Sequence, residues 1–220
     1  MSDAANLMDR MYRRQRHIYD ASRKFYLLGR DRLIANLDPP LGGSVLEIGC
    51  GTGRNLVKLA QIYPTAHCFG LDVSTEMLDT ACKSISRASL QSRIRLARAD
   101  ATSFDPVQLF SEAAFDRIMV SYALSMIPAW TDVLQHAVHL LAPGGSLHIV
   151  DFGDQKDMPK AFQFILNRWL ALFDVTPRRA LPMELANLAV PLGMGCRSQQ
   201  SFRGYAIHAV VERPVIGSPA

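Results

Sequence analysis

GSVLEIGCGTGRNL, residues 43–56, runs from an apolar strand-like segment straight into glycines at every second position, Gly49, Gly51 and Gly53. Glycine at this density serves a backbone that turns sharply and lies close to something else. Reading outward from this loop, short apolar runs alternate with amphipathic stretches, the pattern of an α/β chain with a parallel sheet covered by helices. Strands are expected at Val45–Ile48, His67–Leu71, Ile94–Ala99, Phe115–Val120 and Ser146–Val150. Helices are expected over Asn55–Ile62, from a Ser74 cap to Arg87, from Pro128 to about Leu141, and over residues 158–173. Pro143-Gly144-Gly145 reads as a sharp stop before the fifth strand. Two further strands, Arg197–Phe202 and Tyr205–Glu212, meet at Gly204 and are expected to close the sheet with antiparallel edges.

Bulk properties set the frame. The 220 residues suit one domain with a full core, 49% hydrophobic and 20% charged. No apolar run approaches the ~18–20 residues of a membrane span. The segment MSDAANLMDR lacks the basic-then-apolar order of a signal peptide, so a cytoplasmic location is expected. Cys50, Cys68, Cys82 and Cys196 form no C-x-x-C pair and read as reduced thiols; no metal site is expected. Charge is concentrated at one end: from Arg10 to Arg32 there are eight basic residues against Asp20 and Asp31. Residues 1–35 are therefore read as a basic helical arm and 36–220 as the main domain. The arm carries Tyr12, Tyr19 and Tyr26 at intervals of seven, beside Met11, Ile18 and Phe25, which on a helix make two adjacent columns. It is expected to pack on the sheet domain, to cover the site as a lid, or to do both while meeting an anionic membrane.

In open parallel sheets the loop after the first strand borders the ligand crevice. A dinucleotide site would show G-x-G-x-x-G; here the pattern is E-x-G-x-G-x-G, with Arg54 where the third fingerprint glycine belongs. Glu47 at the mouth would repel a pyrophosphate, and no G-K-[ST] follows for a phosphate loop. The loop suits a ligand with ribose hydroxyls for Asp72 and a cationic end near Glu47. S-adenosylmethionine has that form, and Asp100-Ala101 after the third strand can read adenine. Over residues 40–155 the chain resembles the class I S-adenosylmethionine-dependent methyltransferases. The resemblance implies a Rossmann-like doubly wound sheet of seven strands, the last antiparallel. It implies that Gly49, Cys50, Gly51, Gly53 and Asn55 lie in or beside the loop under the methionine portion, with Glu47 orienting its ammonium. Asp72 would hold the ribose, Val73 and Met77 line the adenine pocket, Asp100 and Ala101 read its edge, and Ser121 lie below the sulfonium.

The acceptor is argued from other segments. The N-P-P-Y-like turn of amino-methylating DNA enzymes is missing, since Ser121-Tyr122-Ala123-Leu124 stands there, and no nucleic-acid partner is expected. The arm, DFGDQ (residues 151–155) and FDVTPR (residues 173–178) resemble the bacterial diacylglycerylhomoserine N-methyltransferases of betaine-lipid synthesis. That resemblance implies three methylations of a lipid-borne homoserine amine, on a protein peripheral to an anionic membrane. A quaternary ammonium product suits aromatic faces, for which Tyr19, Tyr26 and Tyr122 are the candidates. Arg23, Lys24 and Arg30 are candidates for a carboxylate. Asp151 either takes a proton from the amine or caps the turn before Gly153, and His148 reads as a core residue. Phosphatidylethanolamine N-methylation, quinone C-methylation and a non-catalytic cofactor-binding subunit are the alternatives.

Overall fold

In the computed structural model, residues 27–215 are described, and they form one seven-stranded sheet with helices on both faces. In chain order the elements are α1 (Arg30–Ala35), β1 (Ser44–Ile48), α2 (Arg54–Ile62), β2 (His67–Asp72), α3 (Thr75–Arg87), β3 (Ile94–Arg98) and α4 (Pro106–Phe110). Then follow β4 (Phe115–Ser121), a 3-10 turn (Leu124–Met126), α5 (Trp130–His139), β5 (Leu141–Phe152), α6 (Lys160–Ala171) and α7 (Leu181–Ala189). A second 3-10 turn (Val190–Leu192), β6 (Gly195–Ser201) and β7 (Ala206–Glu212) complete the described chain.

The strand order is β3-β2-β1-β4-β5-β7-β6. Strands β1 to β5 pair in parallel, and β7 runs antiparallel to both β5 and β6. The expected seven-stranded, doubly wound fold is thus present. In β4, Ile118, Met119 and Val120 are apolar and buried because helices cover both faces there, while Asp116 and Arg117 near its start are only half-buried. One face buries Leu33, Ile34, Leu56, Leu59, Leu166 and Leu170 from α1, α2 and α6. The other buries Phe110, Val133, Leu134, Leu181 and Leu185 from α4, α5 and α7. Strand order reverses between β1 and β4, which opens the crevice where a ligand belongs.

Three expectations need correction. Pro143-Gly144-Gly145 does not stop the chain: β5 begins at Leu141, and a register shift against β4 between Phe115 and Arg117 absorbs the glycines as an irregularity in the ladder. Helix α5 begins at Trp130 and not at Pro128. Helices α4 and α7 were not expected, although Asp105 caps α4 through Val107 and Gln108 N–H with Pro106 at its first turn.

The arm lies mostly outside the described residues: Tyr12, Tyr19, Tyr26, Arg23 and Lys24 are not among them. Its described root is no continuous helix. Gly29 takes φ +85° and α1 starts afresh at Arg30, because a Cβ at position 29 would lie 2.5 Å from Nε2 of His208. Asp31 of α1 pairs with Arg54 at 2.7 Å and Lys58 at 2.6 Å, tying this root to α2.

Candidate active site

The loop between β1 and α2 is built as its glycines require. Gly49, Gly51 and Gly53 all have positive φ. A Cβ at Gly49 would lie 2.6 Å from Cβ of Ala123, so the loop can approach the turn after β4 only with glycine there. Amide N–H groups of Gly49 and Cys50 both donate to the Leu71 carbonyl, at 2.8 and 2.9 Å, which pins the loop to the end of β2. Arg54 turns away to Asp31 and so does not obstruct α2 from packing on the sheet.

A cleft of about 410 Å³ opens over this loop, bordered by Glu47, the loop itself, Asn55, Ser121, Thr80 and Ser84, with Leu27 and Arg30 from the chain's N-terminal side. Glu47 is 1% exposed. Its Oε1 accepts Asn55 Nδ2 at 2.7 Å, while Oε2 is buried with no hydrogen-bond partner. Burial pushes its pKa up to about 8, against the opposing pull of the Asn55 hydrogen bond and the Arg30 charge. The hydroxyl of Ser121 is likewise buried and unpartnered at the end of β4. Both are orphaned polar groups facing one cavity, and a ligand ammonium beside a carboxyl would satisfy the first. The residues therefore fit the methionine end of S-adenosylmethionine, which when bound supplies an electrophilic methyl on a sulfonium.

Asp72 works harder than expected. Its Oδ2 accepts Gly51 N–H at 2.8 Å and its Oδ1 accepts Ser74 N–H at 2.9 Å, so one carboxylate joins the loops after β1 and β2. Val73 follows it, half-buried, its carbonyl held by Arg98 Nε at 3.0 Å. Met77 is buried against Met126 and Phe173, forming an apolar wall beside this loop. Cys50 borders the cleft, but its Sγ lies 3.0 Å from where a Gly70 Cβ would stand, and burial holds the thiol well above its ordinary pKa. Asp100 accepts Thr102 N–H and lines a second depression with Ala99, Phe104 and Asp105, while Ala101 packs on the core beside it. Of the three strand-end acids, Glu47 lines one hollow and Asp100 another, and Asp72 stands at the junction of the loops after β1 and β2.

Two expected catalytic groups have other work. Tyr122 is 2% exposed, its hydroxyl donates to the Leu28 carbonyl at 2.7 Å, and its ring meets Phe152 edge-on at 4.8 Å. No face remains for an ammonium; Tyr122 instead clasps the root of the arm. Asp151 is fully buried and accepts Phe152 N–H at 2.7 Å and Ser125 N–H at 3.1 Å. Burial raises its pKa to about 6 despite these bonds. It therefore holds the turn after β4, and it is not among the described residues that line the cleft. Tyr19 and Tyr26 lie outside the described residues. His148 is a core residue as read, its Nε2 2.8 Å from Ser146 Oγ. Thr80 and Ser84 were missed as cleft residues; the signal was two hydroxyls four apart on the expected helix from Ser74, which share one face.

Residues 45–145 match the family model described as a methyltransferase domain. The chain is 27% identical over 143 residues to demethylmenaquinone methyltransferase of Listeria monocytogenes serotype 4a, covering 64% of this chain and 54% of that one. It is 36% identical over 104 residues to trans-aconitate 2-methyltransferase of Methylobacterium radiotolerans, covering 47% and 36%. Thus the chain spans about half the length, or less, of these curated relatives. Among solved structures it is similar to an S-adenosylmethionine-dependent methyltransferase of Aquifex aeolicus (TM-score 0.64, 15% identity, 90% of this chain and 96% of that one). It is also similar to the S-adenosylmethionine-dependent methyltransferase SibL (TM-score 0.67, 21% identity, 90% and 58%). Residues 45–145 thus resemble a methyltransferase domain, and the chain as described shares the fold of S-adenosylmethionine-dependent methyltransferases.

Proposed function

We propose that the whole chain methylates the amine of a lipid headgroup, adding three methyls to the homoserine nitrogen of diacylglycerylhomoserine to give a betaine lipid. The observation that carries this reading is a convergence. DFGDQ and FDVTPR, the segments that resemble the homoserine-lipid enzymes, meet at the turn after β4. Asp151 takes Ser125 N–H, Thr176 N–H donates to the Ser125 carbonyl at 2.8 Å, and Arg178 donates to the carbonyls of Leu124 and Ile127 at 3.0 and 2.7 Å. That turn abuts Gly49 and the apolar wall of Met77, Met126 and Phe173, so these segments shape the acceptor side of the crevice.

Methyl transfer from a sulfonium needs alignment and exclusion of water more than an acid or base. Glu47 and Asn55 hold the ammonium end, and Asp72 fixes two loops while accepting from the ribose. Ser121 offers a hydroxyl near the centre of the crevice. A neutral amine is the nucleophile, and apolar surroundings such as Met77, Met126 and Phe173 lower an amine's pKa and so favour that form. The basic arm of residues 1–35 is assigned the roles of lid and anionic-membrane contact, with Tyr19 and Tyr26 as the candidates for binding the product ammonium. Quinone C-methylation is the second reading, favoured by the demethylmenaquinone methyltransferase match.

Lipid mass spectrometry decides between them. Cells supplied with the homoserine-lipid precursor and this protein are expected to gain a species heavier by three methyls. A single methyl gain on a quinone, with the precursor unchanged, would replace the first reading by the second.

A further inference from the structure

We propose that the outer face of α6 is a docking surface for an anionic lipid bilayer. This rests on the lipid-acceptor reading only for its purpose, since binding itself can be measured on membranes that contain no substrate. Helix α6, KAFQFILNRWLA, uses Leu166 and Leu170 to pack on the sheet. A helix with one buried stripe ordinarily presents polar residues outward. This one presents Phe164, Ile165 and, just beyond its end, Leu172, at 64%, 65% and 70% exposure, with Phe162 at its border.

The chemistry of the same face selects the partner. Its charged residues are Lys160 and Arg168, and α6 contains no acid. The Arg168 guanidinium lies 5.8 Å from the Phe164 ring centroid, so cation and aromatic ring present together. Acids occur only beyond the ends, at Asp157 and Asp174. A second copy of this face would set Lys160 and Arg168 against their own kind, which disfavours self-association. Anionic headgroups above an acyl boundary answer both features, as they do for helices lying in the plane of a membrane. Spanning is not the mode, because no helix among the described residues is long and apolar enough to cross a membrane.

The opposite side of α6 gives the placement its consequence. Trp169 meets Phe173 edge-on at 5.0 Å, and Phe173 packs with Met126 on Met77. Helix α6, about 10 Å across, thus has its outward apolar face on one side and the Met77, Met126 and Phe173 cluster on the other. A headgroup at the crevice and acyl chains in the bilayer fit either side of that helix.

The test is sedimentation of the full chain with vesicles of phosphatidylglycerol and phosphatidylcholine, or phosphatidylcholine alone. Wild type is expected on the anionic vesicles, and Phe164→Ser/Ile165→Ser to lose about tenfold or more in partition. Arg168→Glu is expected to weaken binding to the anionic vesicles several-fold and to reduce its salt dependence. Calorimetric binding of S-adenosylhomocysteine, unchanged in each variant, confirms folding. Wild-type binding indifferent to these substitutions overturns the inference, as does a wild-type dimer that the double substitution turns into a monomer. Vesicle binding that persists without any methyl gain on the homoserine lipid would remove the proposed acceptor and leave this surface standing.

Discussion

The carboxyl of Glu47 is 1% exposed, holds Asn55 with one oxygen and keeps the other buried without a hydrogen-bond partner at the edge of the cleft. Burial raises its pKa to about 8, so at neutral pH the free protein carries it mostly protonated. An ammonium ligand needs the carboxylate, and binding must release that proton. Affinity for S-adenosylmethionine is therefore expected to rise with pH, by up to about tenfold per unit below pH 8, and to level off above it. Titration calorimetry from about pH 6 to about 8.5 in buffers of different ionisation enthalpy measures both the slope and the proton. Glu47→Gln should weaken binding and flatten the profile; a slope that survives the substitution assigns the proton to another group. That Glu47 borders the crevice was legible from its place before the glycines. That Asn55 is its partner was not, since the bond depends on how α2 leaves the loop.

Among the elements, the turn after β4 concentrates what is specific to this chain. Arg178 donates to the Leu124 and Ile127 carbonyls and lies 5.8 Å from the Trp130 ring centroid. Its charge also opposes the raised pKa of Asp151 beneath the turn. Arg178→Leu leaves those carbonyls to water and is expected to cost about 1–3 kcal/mol in unfolding free energy. Since Glu47, Asn55 and Asp72 are untouched, cofactor Kd should stay within about twofold while acceptor KM rises about tenfold, on the premise that this turn shapes the acceptor side. Steady-state kinetics beside calorimetry separates the two; equal losses in both would place the effect on the whole crevice. FDVTPR was readable as a motif, but its contact with a turn some fifty residues earlier is tertiary. Helix α4, by contrast, was legible in Asp105-Pro106, a capping acid followed by proline, and was overlooked only because the helix is short.

For the molecule as a whole, acid is the expected weakness. His148 stands mid-strand in β5, and burial, with the charges of Arg117 and Arg197, lowers its pKa to about 4. Unfolded, it would titrate near pH 6.5, so between these values the unfolded state binds the extra proton. Stability is expected to fall by about 1.4 kcal/mol per pH unit as pH drops from about 6.5 towards 4. His208, lowered by burial and by Arg32 beneath Gly29, adds in the same direction. Urea denaturation across this range tests the point: His148→Gln should remove much of the slope, and an unchanged slope would locate the proton uptake elsewhere.

By itself the sequence determined the parallel α/β order, the turn at Gly49–Gly53 and the acids that follow β2 and β3. Those are consequences of local rules: side-chain periodicity, the φ a glycine permits, and the residues that end a strand. Tertiary structure alone decided that Tyr122 and Asp151 are anchors, that Arg54 serves α1, and that α6 carries apolar residues on two faces. Whether a side chain meets solvent, a carbonyl or another ring depends on segments distant in the chain, and no local pattern encodes that meeting.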